Sequence, residues 1–361
     1  MSIRNEGQNQ SDRKDAAISR RQALKGFGIL SASWILAEMS RWSHSLGDAL
    51  ASGEPAHSMM VPRRPLGRTG VAVPILGLGG GHLIRKNDEE GVRIVHEAIE
   101  SGLTFMDNAW DYANNRSEEV MGKALAGKRQ QVFLMTKMCT HGRGKKVGLL
   151  HLEQSLRRLG TDYLDLWQIH EVGCSDDADR IFQQGGAADA LMEAKQQGKV
   201  RFIGFTGHTD PSVHLSVLAH RFPFDTCQLP LNVFDAGFRS FERQVLPELH
   251  RQGIAPIAMK SLCGNGKPVS AGVVSVEEAI RYTLSLPVAT LVSGIDSVQV
   301  LQQNLHIARN FVPMTVAEMD SLRQRVVAKA EQGTFETYKT QALWSCDKGA
   351  ADQRFGRLEH S

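Results

Sequence analysis

Residues 103–125 read LTFMDNAWDYANNRSEEVMGKAL, and the order of residue types in this stretch decides the fold. Leu103, Thr104, Phe105 and Met106 predict a short buried strand, and the ionisable Asp107 that follows stands at the edge of a core. Tyr112 comes a few positions later. Ser117 then reads as the N-cap of a helix, with Glu118 and Glu119 in a first turn where the helix dipole favours negative charge. Strand, polar turn and capped helix make half of a βαβ unit.

The rest of the chain repeats that unit. Upstream, RPLGRTGVAVPILGLG (64–79) predicts a β-hairpin turning at Arg68–Gly70, then a strand, Ile75–Leu78, ending in Gly79-Gly80-Gly81. Asp88–Ser101 has helical spacing and stops at Gly102. After strand 103–107 and helix 117–126 come strand Val132–Thr136, helix Val147–Leu159, strand Leu164–Ile169, helix Ala187–Gln197, strand Phe202–Thr206 and helix Pro211–Arg221. Then follow strand Thr226–Leu229, helix Phe241–Arg251, strand Ile254–Met259, helix Val276–Leu286, strand Ala289–Val292 and helix Val298–Asn310. Parallel strands need crossover helices, and eight such units close a cylinder, so the expected fold is α/β, a (β/α)8 TIM barrel with an N-terminal hairpin and an extra C-terminal helix, Thr315–Gln332. A doubly wound open sheet is the alternative, but no G-x-G-x-x-G follows the first strand. Loops after Lys137, His170 and Lys260 exceed what a barrel requires, and long loops on one face build substrate sites.

Composition narrows the partner. Of 361 residues, 42 are basic and 39 acidic, a net charge of only +3, so no basic face for nucleic acid or an anionic membrane is implied and a small-molecule substrate is expected. Cys139, Cys174, Cys227, Cys263 and Cys346 show no C-x-x-C spacing, which argues against a zinc ribbon, a cluster site or a dense disulfide framework.

The amino terminus carries a different signal. Ser19-Arg20-Arg21-Gln22-Ala23-Leu24-Lys25 precedes a moderately apolar run, Gly26 to Ala37, and Ala49-Leu50-Ala51 offers a small-x-small cleavage site. This resembles a twin-arginine export signal, although Ala23 replaces the usual Phe and Glu38 interrupts the run. The resemblance implies export of the folded chain by the Tat translocase, a periplasmic or otherwise exported location, and no stable membrane insertion. The expected organisation is signal peptide 1–51, linker 52–62, barrel 63–332 and C-terminal tail 333–361.

In a barrel, residues just after each strand share one mouth. Those positions hold Asp107 and Tyr112, Lys137, His170, Thr206-Gly207-His208, Gln228 and Asn232, Lys260, and Gly294 to Ser297. Asp107, Tyr112, Lys137 and His170 form a proton-handling set: a buried lysine lowers a neighbouring phenol's pKa, an aspartate holds the lysine charged, and a histidine orients a substrate carbonyl. The expected chemistry is proton donation by Tyr112 to a carbonyl oxygen as hydride reaches its carbon.

With these residues the chain resembles the aldo-keto reductase superfamily over about residues 63–330, through FMDNAWDYANNRSEEVMGKAL, FLMTKM, DLWQIH, RFIGFTGH, QLPLNVFD, IAPIAMKSL and VSGIDSVQVLQQNL. The resemblance implies a catalytic set of Asp107, Tyr112, Lys137 and His170, a cofactor that is NADP(H) or NAD(H), and no metal. It implies that Gln228 holds the nicotinamide carboxamide and that Gly79, Thr206, Lys260, Gly294, Asp296, Ser297, Gln303 and Asn304 line the rest of the cofactor. Three departures stand out: Thr206-Gly207-His208 replaces the usual Ser-Asn, Asp296 stands where NADPH users often place Arg or Ser, and Gln303 replaces a common Glu. An acid at 296 repels a 2′-phosphate and accepts from a ribose hydroxyl.

Two other functions compete. A metal-dependent barrel hydrolase would use Asp107, His170 and His208, but it lacks an H-x-H or H-E-x-x-H pair and would place Lys137 beside the metal. A non-catalytic or slow-turnover nucleotide-binding redox subunit would keep the cofactor and lose the chemistry.

Overall fold

The computed structural model describes residues 60–139 and 143–340. The signal expected over 1–51 and most of the 52–62 linker lie outside them, as do residues 341–361 of the expected tail. Among the described residues there are ten strands: β1 (Arg63–Pro65), β2 (Ala72–Pro74), β3 (Leu76–Gly79), β4 (Phe105–Asp107), β5 (Phe133–Met138), β6 (Leu164–Ile169), β7 (Val200–Thr206), β8 (Thr226–Pro230), β9 (Ala255–Met259) and β10 (Thr290–Gly294). β1 and β2 pair antiparallel as the expected hairpin. The other eight close into a parallel barrel, β10-β3-β4-β5-β6-β7-β8-β9, so the closed form, not the open sheet, is the fold.

Barrel strands are covered on both faces, which is why β6 (LDLWQI) is buried throughout and why the strands read as near-continuous apolar runs. Inside the cylinder, Phe105, Phe133, Met135, Leu166 and Ile257 pack together, and Leu66 and Val73 of the hairpin join them and stop the barrel floor. Outside it, a larger core fills the space between strands and helices. Val61, at the end of the expected linker, already belongs to that core.

Most helices start within two residues of expectation, and two differences have local causes. The helix expected over Phe241–Arg251 is split into Phe241–Gln244 and Leu246–Gln252, because Pro247 has no N–H to continue the first ladder and starts the second instead. Ser117 is not an N-cap. The helix Arg116–Leu125 begins after Asn115, which is in the left-handed region and caps with no side-chain hydrogen bond. The Ser117 hydroxyl donates instead to Gly80 O at 2.8 Å, tying the end of β3 to the turn after β4. Nor does Glu118 simply face the dipole: it is buried, accepting from Thr136 Oγ1 at 2.6 Å and Arg158 Nε at 2.8 Å.

His214, on the helix Pro211–Ala219, is buried between Phe205 and Phe241. Burial pushes its pKa down to about 4, against the opposing pull of Asp210. Unfolding returns the ring to an ordinary pKa near 6.5, so the unfolded chain binds the extra proton and stability is lost as pH falls from about 6.5 to about 4. Replacing His214 with Leu is expected to flatten that part of the acid limb in chemical-denaturation curves taken across this range. An unchanged slope would remove the assignment.

Candidate active site

The register of β4 and β5 sets Asp107 opposite Met135, and Lys137, two residues further along β5, shares Met135's face. Lys137 Nζ therefore rises to Asp107 Oδ1 at 2.5 Å and to Asn108 O at 2.7 Å, with all three residues buried. A third contact reaches Tyr112 Oη at 3.4 Å, and the ammonium lies 4.9 Å from the centre of the Tyr112 ring. His170, following β6, sets its ring edge-on to Tyr112 with centroids 5.7 Å apart. The four residues read from the sequence converge at one point of the mouth.

One expectation is reversed. The net direction is upward: the Tyr112 pKa is raised well above the ordinary tyrosine value, by burial first and then by the charges of Asp107, Asp111 and Glu171. Burial and the surrounding acids set this direction despite the 3.4 Å contact with Lys137. The consequence is a tyrosine that keeps its proton, which suits a proton donor and not a resting phenolate base.

The expected cofactor positions divide. Gln228 donates to Asp107 Oδ1 at 3.4 Å, and its own Oε1 is buried with no hydrogen-bond partner among the described residues. A carboxamide N–H₂ is the kind of donor that acceptor lacks, so the residue fits a nicotinamide. Thr206 is buried beside it, in register across β7 and β8. Gly79 has a packing reason as well, since a Cβ there would stand 2.9 Å from Ser293 O. At Gly294 a Cβ would collide with His82, whose ring covers the end of β10. Ser297 caps the helix Val298–Arg309, accepting from Val300 N, and Asn304 Nδ2 donates to Ser293 Oγ at 3.1 Å. Gln303 is exposed. Two carboxylates attend this helix start: Glu90 accepts from Val298 N at 3.3 Å, and Asp296 lies 3.8 Å from Arg85.

The competing hydrolase set is not assembled, because Asp107 is committed to Lys137 and His208 faces Tyr338 edge-on at 5.9 Å. Several functional candidates were not read from the sequence. Asp111, just before Tyr112, places Oδ1 3.2 Å from His170 Nδ1. Glu171 follows His170 and adds a second carboxylate, its pKa raised by burial first. Arg143 straps this loop, donating to His170 O at 2.6 Å, Glu171 O at 2.7 Å and Asp177 Oδ1 at 2.8 Å. An ionisable residue adjoining an expected catalytic one is a usable signal, and both Asp111 and Glu171 carry it. Tyr338 had none. It arrives from residues 334–340, where Lys339 Nζ is buried between Asp235 Oδ1 (2.7 Å) and Glu336 Oε2 (2.9 Å), and its ring lies 5.2 Å from Lys260 Nζ. This clasp folds the start of the expected tail over the mouth.

Comparison with known proteins agrees with this geometry. Residues 75–267 match the Aldo/keto reductase family. Aldo-keto reductase YhdN of Bacillus subtilis (strain 168) is 31% identical over 54% of this chain and 60% of its own length. Methylglyoxal reductase YeaE of Escherichia coli (strain K12) is 30% identical over 55% of this chain and 67% of its own. The match thus spans about 60% of the Bacillus relative. An aldo/keto reductase of Klebsiella pneumoniae, solved with NADP and acetate, shares the fold with a TM-score of 0.60 at 23% identity, covering 74% of this chain and 96% of that one.

Proposed function

The chain belongs to the aldo/keto reductase family, and from that premise we propose an NAD(P)H-dependent oxidoreductase that reduces an aldehyde or ketone, or oxidises the corresponding alcohol or sugar, with Tyr112 as proton donor. The observation that carries this reading is the chain of contacts from Asp107 through Lys137 to Tyr112, built from the ends of adjacent strands.

A bound reduced nicotinamide, NADPH or NADH, supplies the hydride. Gln228 would hold the carboxamide through its open acceptor, with Thr206 beside it. The end of β10, with Gly294, Ser297 and Asn304 beyond it, and Lys260 at the end of β9 would border the remainder of the nucleotide. Tyr112 Oη gives its proton to the carbonyl oxygen as negative charge develops there. Lys137, paired with Asp107, lies close enough to the phenol to offset the charge left there. Relatives named a methylglyoxal reductase and an enzyme solved with NADP support a carbonyl substrate and this cofactor class. A slow-turnover nucleotide-binding subunit would require Tyr112 to be idle, and its contact with Lys137 speaks for the active reading.

Residues 1–51 are proposed as a twin-arginine signal, 52–62 as a linker leading into the barrel at 63, and the mature protein as periplasmic or otherwise exported. Ser19-Arg20-Arg21, the apolar run behind it and the Ala49–Ala51 site support this.

Three outcomes follow. Tyr112→Phe should lower kcat for carbonyl reduction by roughly 100- to 10,000-fold while nicotinamide affinity stays within about twofold; full activity would dismiss the role. Asp296→Ser should raise use of NADPH relative to NADH, in kcat/KM, by about fivefold, the scale of one exposed charge pair; an unchanged ratio would mean that the acid does not face the 2′ position. Changing both Arg20 and Arg21 to Lys should leave the full-length precursor in the cytoplasm on cell fractionation, and normal export would end the signal assignment.

A further inference from the structure

The ends of three adjacent strands, β4, β5 and β6, bring a carboxylate, a thiol and an imidazole to one point beside Tyr112. Asp111 comes from the turn after β4, and Cys139 and His170 stand immediately after β5 and β6. One oxygen, sulfur or ring-nitrogen atom from each lies within 4.8 Å of the other two. Cys139 and His170 are buried, while 30% of the Asp111 side chain stays open to the mouth and leaves a way in.

Two observations separate this trio from an ordinary hydrogen-bonded pair. Asp111 Oδ1 and His170 Nδ1 are 3.2 Å apart, yet both atoms are buried and neither makes a hydrogen bond among the described residues. The distance suits a hydrogen bond and the direction does not, so the two atoms stand side by side. That spacing is the edge of a coordination tetrahedron, roughly 3.3 Å for an oxygen and a nitrogen each about 2.0–2.1 Å from a zinc ion. Cys139 supplies the third corner, close enough to the Asp111 carboxylate to interact with it directly. The charges that bear on Cys139 are those of Asp111 and Glu171 against Arg143, and Arg143 is itself paired with Asp177. The surroundings lean toward a cation.

We propose that Asp111, Cys139 and His170 form a site for a thiophilic divalent cation of the zinc class, with water in the fourth position, and that its occupation reversibly switches the reductase off. A carboxylate, an imidazole and a thiolate suit Zn²⁺, whereas Mg²⁺ and Ca²⁺ take oxygen ligands. Binding forms one bond from the metal to each of the three side chains. The thiol proton, and any proton on Nδ1, leave to solvent, and nothing is oxidised or reduced. This is not the set considered for a hydrolase, since Asp107 stays with Lys137, and the metal takes no part in hydride transfer. It inhibits by taking His170 and filling the mouth beside Tyr112, whose ring is edge-on to that of His170 at 5.7 Å. The binding stands apart from the reductase reading, and the switch rests on it.

Calorimetric titration of the chelator-treated mature protein with Zn²⁺ is expected to show one tight equivalent, with a heat that varies with the ionisation enthalpy of the buffer as protons are released. Co²⁺ in its place should give a thiolate-to-cobalt charge-transfer band. Cys139→Ser should lose that band and bind Zn²⁺ at least about 100-fold more weakly, the upper end of what losing even a ligand's supporting partner costs. Asp176→Asn, in the other grouping of such residues with Cys174 and Asp177, should bind as the native chain does. Zn²⁺ should inhibit carbonyl reduction over the range in which it binds, with recovery on adding chelator, and reduction by Cys139→Ser should be insensitive to it. Mg²⁺ should neither bind nor inhibit.

No binding, no thiolate band, undiminished affinity in Cys139→Ser, equal binding of Mg²⁺, or loss of binding in Asp176→Asn overturns the site. Binding there without inhibition overturns the switch. If Cys139→Ser fails to fold, the cobalt band of the native chain and the Zn²⁺ affinity of Asp111→Ala, expected to fall by a similar factor, decide it. If no aldehyde or ketone is reduced even without metal, the reductase reading fails, while the calorimetry and the cobalt spectrum still judge the site.

Discussion

A carboxylate and an ammonium 2.5 Å apart, both almost wholly buried, are the constraint on which the mouth of this barrel depends. Each charge alone would be several kcal/mol unfavourable in that position, and removing one partner of such a pair typically costs about 3–5 kcal/mol. The pair survives because Asp107 also accepts from Gln228 and Lys137 also donates to Asn108 O, so few of their hydrogen-bonding positions are left open. That satisfaction requires β4, β5 and β8 to end at one level, which the closed parallel barrel provides. Tyr112 is then placed by the turn after β4, itself tied to the end of β3 by the Ser117–Gly80 hydrogen bond. Fold and chemistry meet in one short stretch of chain.

Around that pair the site is rich in acid. Asp111 and Glu171 join Asp107 in raising the Tyr112 phenol, so its proton is held firmly until a stronger demand appears at the substrate oxygen. Lys260 answers part of this charge: burial lowers its pKa while Glu171 pulls the other way. Over these groups lie Tyr338 and the Lys339 clasp, which shield them from water and strengthen every charge interaction beneath. Such a lining suits a polar substrate far better than a hydrocarbon one.

Much of this was legible in the sequence for plain physical reasons. Eight buried strands alternating with eight helices leave a period that a barrel explains, and the observed β6, Leu164–Ile169, has the expected bounds to the residue. Strand ends pointed to Asp107, Tyr112, Lys137 and His170 because a barrel brings such positions together. What escaped depends on three-dimensional satisfaction. Ser117 has the composition of a cap, yet a carbonyl of another strand end claims its hydroxyl. Lys137 contacts the phenol as the sequence implies, but only the structure shows that burial and the acids Asp107, Asp111 and Glu171 outweigh it. Tyr338 and Lys339 lie more than 100 residues from Asn232 and Asp235, their partners, and no local pattern announces a contact of that range.

The proposed reaction requires hydride to pass to a substrate held against Tyr112. A single turnover with nicotinamide nucleotide deuterated at the transferring position, followed by mass spectrometry of the product alcohol, tests this most directly. One deuterium on the former carbonyl carbon is predicted. Nucleotide that binds stoichiometrically and transfers no label to any aldehyde or ketone of a broad panel would contradict it, and would leave the barrel a nucleotide-binding subunit.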